Sequence, residues 1–240
     1  MKHALLAAVA MLAIAAPTAA QSPRWSVAFN VGADVPLSGM VHDGGTGRVL
    51  TLPTTVEARD YKDIYGTPFT WSADLGLLVT PSSEIRARVF RTQAEAERIQ
   101  VGDVATLPLF AEFDPYAALG MDVGLRQYLA PPTSRVRPFA GGSVGFVRTD
   151  TINSTFSVPA ANVVLRDVPM YDSSTVLTFA VSAGALIPIG RNFGIQGGVD
   201  FRWHGDLDPV DGLAGTGLEG INDESRRWSM PVTVGAVVRF

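Results

Sequence analysis

The feature that most constrains this chain is a strict alternation of side-chain type along its last thirteen residues, W-S-M-P-V-T-V-G-A-V-V-R-F (228–240). Trp228, Met230, Val232, Val234, Ala236, Val238 and Phe240 share one parity, and Ser229, Pro231, Thr233, Gly235, Val237 and Arg239 share the other. Successive side chains of a strand point to opposite sides, so a period of two marks a strand with two unlike faces. Here one face is apolar throughout and carries an aromatic ring at each end. About ten tilted residues cross the hydrocarbon core of a bilayer. A strand that is apolar outward, small or polar inward and aromatic at its ends fits a transmembrane β-barrel. A single strand of this kind would equally suit the edge of a soluble sandwich, so the rest of the chain decides.

The pattern recurs. WSVAFNVGADV (25–35) sets Trp25, Val27, Phe29, Val31, Ala33 and Val35 against Ser26, Asn30, Gly32 and Asp34. TWSADLGLLV (70–79), IRARVFR (85–91), YAALGMDVGLRQYL (116–129), TVLTFAVSAGALI (175–187) and FGIQGGVDFRWH (193–204) alternate in the same way, and VRPFAGGSVGFVR (136–148) does so less distinctly. With the C-terminal segment these make eight strands. Breaks after the second, fourth and sixth are short and rich in turn formers, P-S-S-E (81–84), A-P-P-T-S (130–134) and P-I-G-R-N (188–192). Breaks after the odd-numbered strands run to roughly twenty to thirty-five residues, long for a compact soluble domain. Short turns on one rim and long loops on the other predict an all-β fold, an eight-stranded antiparallel transmembrane β-barrel with short periplasmic turns and long extracellular loops. V-L-T-L (49–52) and V-V-L-R (163–166) could add two strands and make ten.

The front of the chain agrees with export. Lys2 and His3 precede an apolar run from Ala4 to Ala16, then Pro17 and the small residues Thr18-Ala19-Ala20. This is the pattern of a secretory signal peptide cleaved after Ala20, and the run is too short to span a membrane as a helix. Residues 1–20 are therefore expected to be removed and 21–240 to form the barrel. The chain has no cysteine, which excludes a disulfide framework and thiolate chemistry. Its net charge of −4 and the lack of any basic run give no expectation of nucleic-acid binding. Nothing in the sequence calls for a cofactor.

Each face carries its own expectation. The four tryptophans, Trp25, Trp71, Trp203 and Trp228, all lie on the apolar parity at strand ends. With Phe193 and Phe240 they are expected to form an aromatic girdle at the membrane interfaces. On the polar parity stand Asp34, Asp74, Asp122 and Asp200 with Arg86, Arg88, Arg126, Arg202 and Arg239. An eight-stranded barrel is only wide enough for side chains, and charges withdrawn from water must pair. These residues are therefore expected to form a charge network that closes the lumen.

The stretch R-P-F-A-G-G-S-V-G-F (137–146) resembles the proline-, aromatic- and glycine-rich strand of small bacterial outer-membrane barrels of the OmpA-like and OmpW-like type. The alternation ending in Phe240 resembles the C-terminal signal of such proteins. The resemblance implies residence in the outer membrane of a Gram-negative bacterium, contact with membrane lipid and lipopolysaccharide, and insertion by the outer-membrane assembly machinery through the last strand. It departs from the full OmpA pattern in that no periplasmic domain is expected after the barrel. A fold hosts many functions. A structural or surface-interaction role, with extracellular ligands met by the loops, is the first expectation. A narrow pore or a carrier of small, hydrophobic molecules is the alternative implied by the OmpW-like resemblance.

An enzyme reading rests on His204. Lipid A deacylases are small outer-membrane barrels with a histidine and a serine two residues apart in a comparable region. Here the stretch reads W-H-G-D, so Asp206 stands in place of that serine, and the parity of His204 is inward. Ser225 or Ser229 could approach His204 in space, as a nucleophile needs a base within hydrogen-bond reach. Catalysis is not expected. In the loop GDLDPVDGLAGTGLEGINDE (205–224), Asp206, Asp208 and Asp211 do not have calcium-loop spacing, so no metal site is expected. In the first loop, Asp60, Tyr61, Lys62, Asp63 and Tyr65 are read either as an exposed contact surface or as support for a hairpin above the membrane.

Overall fold

The computed structural model describes residues 24–49, 51–223 and 225–240, so the signal-peptide reading of residues 1–20 lies outside the described residues. Eight strands form the barrel wall: β1 (Trp25–Ser38), β6 (Phe69–Leu78), β7 (Ser83–Ala94), β10 (Tyr116–Tyr128), β11 (Arg137–Thr149), β14 (Ser174–Ile189), β15 (Phe193–His204) and β17 (Arg227–Arg239). Each pairs antiparallel with the next along the chain, and β17 returns to β1 to close the ring. The closing seam runs from Ser26 opposite Arg239 to Ser38 opposite Trp228. Reciprocal backbone hydrogen bonds of 3.0 Å between Trp25 and Phe240 extend it to the last residue. Closure leaves no unpaired edge, which a barrel needs in hydrocarbon, where an unpaired amide has no water to bond.

The period-two pattern fixes which face is which. On the outward parity Met121, Val123, Leu125, Val144, Val181 and Val234 are exposed. The residues between them, such as Asp122, Arg126, Ser182 and Arg202, are buried inside. A wall with its apolar side chains outside and its charges inside is stable only in lipid. The short rim is built locally. In the Val79–Ser83 turn, Thr80 Oγ1 accepts the Ser82 and Ser83 amides at 3.3 and 2.9 Å.

The long connections are not irregular loops. They contribute β2 (Met40–His42), β3 (Gly45–Val49), β4 (Leu52–Val56), β5 (Arg59–Asp60), β8 (Ile99–Val104), β9 (Leu107–Phe113), β12 (Ile152–Val158), β13 (Val163–Asp172) and β16 (Asp208–Pro209), with one short helix, α1 (Tyr61–Tyr65). Seven of these strands form one sheet in the order β16-β13-β12-β9-β8-β4-β3, and β2 pairs with β5. The segments around 49–52 and 163–166, read as possible extra wall strands, belong to this extramembrane sheet, and the wall keeps eight strands. The reason is pairing: Thr54 sits opposite Val104 and Phe156 opposite Ala111, so each connection finds its partner in another connection.

The sheet has its own apolar core, including Val41, Ile64, Val101, Ala111, Ile152 and Tyr171. Its two edges converge on one segment. On one side β13 pairs with β16, Tyr171 opposite Pro209. On the other, the Arg48 amide donates to Thr216 O at 2.6 Å and the Asp43 amide to Ile221 O at 2.5 Å. The last connection thereby closes the sheet into a ring, a cap standing on the long-loop rim of the barrel.

Candidate functional site: the charged lumen and its cap

Inside the wall the inward residues meet in three tiers. At the middle, Arg88 is held between two carboxylates. Its Nε and Nη2 donate to Asp122 Oδ2 at 2.9 and 2.6 Å, and its Nη1 donates to Asp200 Oδ2 at 2.5 Å. Arg202 touches the same two acids, at 3.0 Å from Asp200 and 3.6 Å from Asp122. Arg86 reaches Asp74 at 3.5 Å, and Asn30 Nδ2 donates to the same carboxylate at 3.3 Å.

The tier toward the short turns centres on Glu84. It accepts from Ser26 Oγ at 2.6 Å and Tyr128 Oη at 2.9 Å, and it pairs with Arg126 at 3.3 Å. Arg126 also donates to Gln196 Oε1 at 3.1 Å, and Gln196 donates to Asn30 at 2.8 Å, which joins the two tiers. Two inward rings carry the guanidinium planes. Arg202 lies 3.9 Å from the Phe90 ring centre and Arg126 lies 4.2 Å from that of Phe139. Cations over ring faces gain from the quadrupole, more so out of water. Glycine makes the room: a Cβ at position 120 would lie 2.2 Å from Phe90 Cζ, and one at position 184 would lie 2.5 Å from Phe139 Cζ. Around the middle tier about 20 Å³ remains accessible to a water-sized molecule, little more than one water occupies.

The third tier faces the cap. Asp34 accepts from Thr92 Oγ1 at 3.5 Å. Arg227 hydrogen-bonds the Tyr116 hydroxyl and lies 4.6 Å from the Tyr61 ring centre and 4.9 Å from that of Tyr116. Tyr61 and Tyr65 come from α1, which lies over the barrel mouth, and they pack on Tyr116 at 6.2 and 5.6 Å. Of the two readings of these tyrosines, the exposed contact surface does not hold: they are 3% and 4% exposed. Their rings are large apolar bodies that the cap core covers, while Asp60, Lys62 and Asp63 stay in solvent. Burial pushes the Tyr61 phenol up to about 12, with Arg227 opposing, and raises Tyr65 and Tyr171 as well. Burial also lowers His42, which stacks 5.9 Å from Phe113.

Of the nine lumen residues expected from the sequence, Asp74, Arg86, Arg88, Asp122, Arg126, Asp200 and Arg202 share ion pairs. Among the described residues, Asp34 and Arg239 have no ion-pair partner within 4.0 Å. Arg239 sits at the short rim, 5.8 Å from the Tyr128 ring centre. Sequence reading missed Glu84, which looked like a turn residue, and Arg227, one residue before the strand was taken to begin. It also left Phe90, Phe139 and Tyr128 unassigned, and set Gln196 on the polar parity of its strand without a role. Glu84 and Arg227 lie one residue before the strands as read and continue their inward parity; Phe90 and Tyr128 lie inside theirs on that parity, and at Phe139 the run of glycines blurs the faces.

The outward aromatics divide between the rims. Trp25, Phe193 and Phe240 lie at the short-turn end, and Trp71, Trp203 and Trp228 at the cap end. Trp203 is registered opposite Trp228, and ring stacking links Phe29 with Trp71 at 6.1 Å and Phe201 with Trp228 at 4.4 Å.

His204 does meet a serine. Its Nε2 lies 3.3 Å from Ser229 Oγ, and both residues are buried under the cap. Its Nδ1 has no hydrogen-bond partner among the described residues, so no third group orients the ring. Ser225 is engaged elsewhere, accepting the Leu207 amide at 2.7 Å. Asp206 holds the last connection together through the amides of Ser225 and Arg226, at 3.1 and 2.7 Å.

No protein-family model matches the chain, and no curated protein matches it. Solved structures similar in outline include Neisserial surface protein A, at 12% identity over 90% of this chain and 96% of that one, with a TM-score of 0.46. The attachment invasion locus protein Ail of Yersinia pestis matches at 12% identity over 92% of this chain and all of its own, with a TM-score of 0.45. The outer membrane protein OprG from Pseudomonas aeruginosa matches at 10% identity over 91% and 97%, also with a TM-score of 0.45. By its own architecture, a closed wall of eight antiparallel strands with apolar side chains outside and charges inside, the chain has the fold of a small transmembrane β-barrel.

Proposed function

We propose that this protein is a surface-interaction barrel whose lumen is closed by paired charges and whose working part is the folded cap. The observation that carries the reading is the clamp of Arg88 between Asp122, its partner on the neighbouring strand, and Asp200, on the strand across the lumen. A guanidinium bonded at 2.5 to 2.9 Å on both sides is a bar across the barrel. Above it, α1 and its tyrosines cover the mouth. An ion passing through would have to displace both, and little water is there to solvate it. The buried His204–Ser229 contact, with no group orienting the ring, supports a non-catalytic role.

The rim aromatics are assigned to the two membrane interfaces, where amphipathic rings are favoured. The wall would meet outer-membrane lipid and lipopolysaccharide. The last strand, with its outward Trp228-to-Phe240 face, would be the segment presented to the assembly machinery. Planar-bilayer recording of the refolded protein tests the central point, with a boiled-against-unboiled gel shift to establish folding. A folded protein that gives no unitary current is the expected outcome. Reproducible conductance steps that change when Arg88 is neutralised would replace this reading with a narrow pore.

A further inference from the structure

The rim of short turns, at the end of the barrel away from the cap, carries charge of one sign. The turns 79–82, 129–136 and 190–192, with the strand ends beside them, hold Arg24, Arg135, Arg137, Arg191 and Arg239 and no aspartate. Their one glutamate, Glu84, is buried in the lumen and engaged by Ser26, Tyr128 and Arg126. None of the five arginines has an ion-pair partner within 4.0 Å among the described residues.

Three of the five are built into the short-turn mouth. Arg137 and Arg239 stand on inward positions of β11 and β17, and their guanidiniums lie 4.0 and 5.8 Å from the centre of one ring, that of Tyr128. Arg137 is 1% exposed. Its Nη2 donates to Pro81 O at 2.8 Å, and its Nε has no hydrogen-bond partner among the described residues. Arg24 continues the inward parity of β1, because its carbonyl accepts the Leu78 amide at 2.7 Å, in step with Ser26 opposite Gly76. Arg135 and Arg191 are exposed on the adjoining turns. Behind this ring the lumen is stopped by an apolar plug that includes Phe139, Leu186 and Val237. Cations of one sign over a low-dielectric floor focus their field and concentrate anions there.

The layout narrows the anion. The cations are spread over β1, β11, β17 and the 190–192 turn, so one small ion cannot touch them all. Arg24, Arg137 and Arg239 take inward positions, toward the mouth and away from the lipid headgroups that surround the wall. A chain arriving from the aqueous side with several carboxylates can meet the whole set. Guanidinium forks accept carboxylates in pairs of parallel hydrogen bonds, which an ammonium does not match. Several such contacts on one chain reinforce each other.

We infer that the short-turn mouth is a docking site for an acidic peptide segment, an extended stretch of a periplasmic protein rich in aspartate and glutamate. The inference goes beyond the surface role proposed for the cap and does not depend on it, since the two lie at opposite ends of the barrel.

The test uses the full chain in nanodiscs of phosphatidylcholine, which leave both ends of the barrel open to solution. Fluorescein-labelled hexaglutamate is titrated in and binding is read by anisotropy. Saturable binding that weakens as salt is raised is expected, with none for hexaglutamine. Arg137→Gln/Arg239→Gln should weaken it about tenfold or more. Arg48→Gln/Arg166→Gln, which removes two exposed cap arginines, should leave it unchanged. Arg24→Gln/Arg239→Gln repeats the test without touching a fully buried side chain, should Arg137→Gln fail the folding gel shift. Absence of saturable binding would overturn the inference, and so would equal losses in the mouth and cap variants. Displacement of the peptide by an equal concentration of inorganic phosphate, or of short-chain phosphatidylglycerol, would reassign the arginines to a single ion or to lipid headgroups and equally overturn it.

Discussion

Replacing Arg88 by methionine is the sharpest probe of how dry the barrel interior is. The substitution keeps the length of the stem and removes the guanidinium that joins Asp122 to Asp200. Side-chain exposure is 7% for Arg88, 2% for Asp122 and 10% for Asp200, so water cannot replace the lost donors freely. Breaking a buried pair from one side costs about 3–5 kcal/mol, mostly because a charge is left without its partner. Two acids are left here, which pushes the cost up. Arg202 remains within 3.0 Å of one and 3.6 Å of the other, which pulls it down. The expected loss is therefore near the lower end, about 3 kcal/mol. Urea unfolding in lipid vesicles, followed by tryptophan fluorescence and gel shift, measures it. The double variant Arg88→Met/Asp122→Asn should recover at least half of the loss, because one orphaned charge has gone with its partner. A loss for Arg88→Met within the ~0.2–1 kcal/mol of an exposed pair would refute the reasoning. The interior would then be wet, and the clamp would be no barrier.

Other perturbations test the neighbouring parts. Gly120→Ala should lower stability by about 1–3 kcal/mol by pushing Phe90 off its slot, and Phe90→Leu should rescue it in the same unfolding assay. Because burial raises the Tyr61 phenol from 10.0 to about 12, the unfolded chain releases that proton first. Cap stability should hold below pH 10 and fall as pH rises toward 12, read by limited proteolysis of the cap, and Tyr61→Phe should make the fall shallower. His42 shifts the other way: burial lowers it from 6.5, so the unfolded chain takes up a proton the folded one refuses. The cap should lose protection from hydrogen exchange as pH falls below about 6.5, and His42→Phe, able to stack on Phe113, should remove that acid sensitivity.

The wall was legible from local pattern alone. Period two can be read residue by residue, and a membrane makes it strict, since every outward position meets lipid and every inward one meets the lumen. Trp228 to Phe240 could be assigned a face, a direction and a length before any partner strand was known. The spacing of turns pointed to eight strands, with the stretches at 49–52 and 163–166 leaving ten open. What sequence left open was decided by pairing between residues far apart in the chain. Parity put Arg88 and Asp200 in the lumen. Their meeting at 2.5 Å across 112 residues depends on the stagger of the closed barrel, which no local pattern records. The cap was less legible still. Its strands, such as β4 with β8 and β9 with β12, are short and recruit partners from different connections, so apart from 49–52 and 163–166 they read as loops. Tyr61 and Tyr65 could be read as a contact surface or as support for a hairpin, because their neighbours are charged. Only the ring of strands above the barrel supplied the apolar core that takes them in.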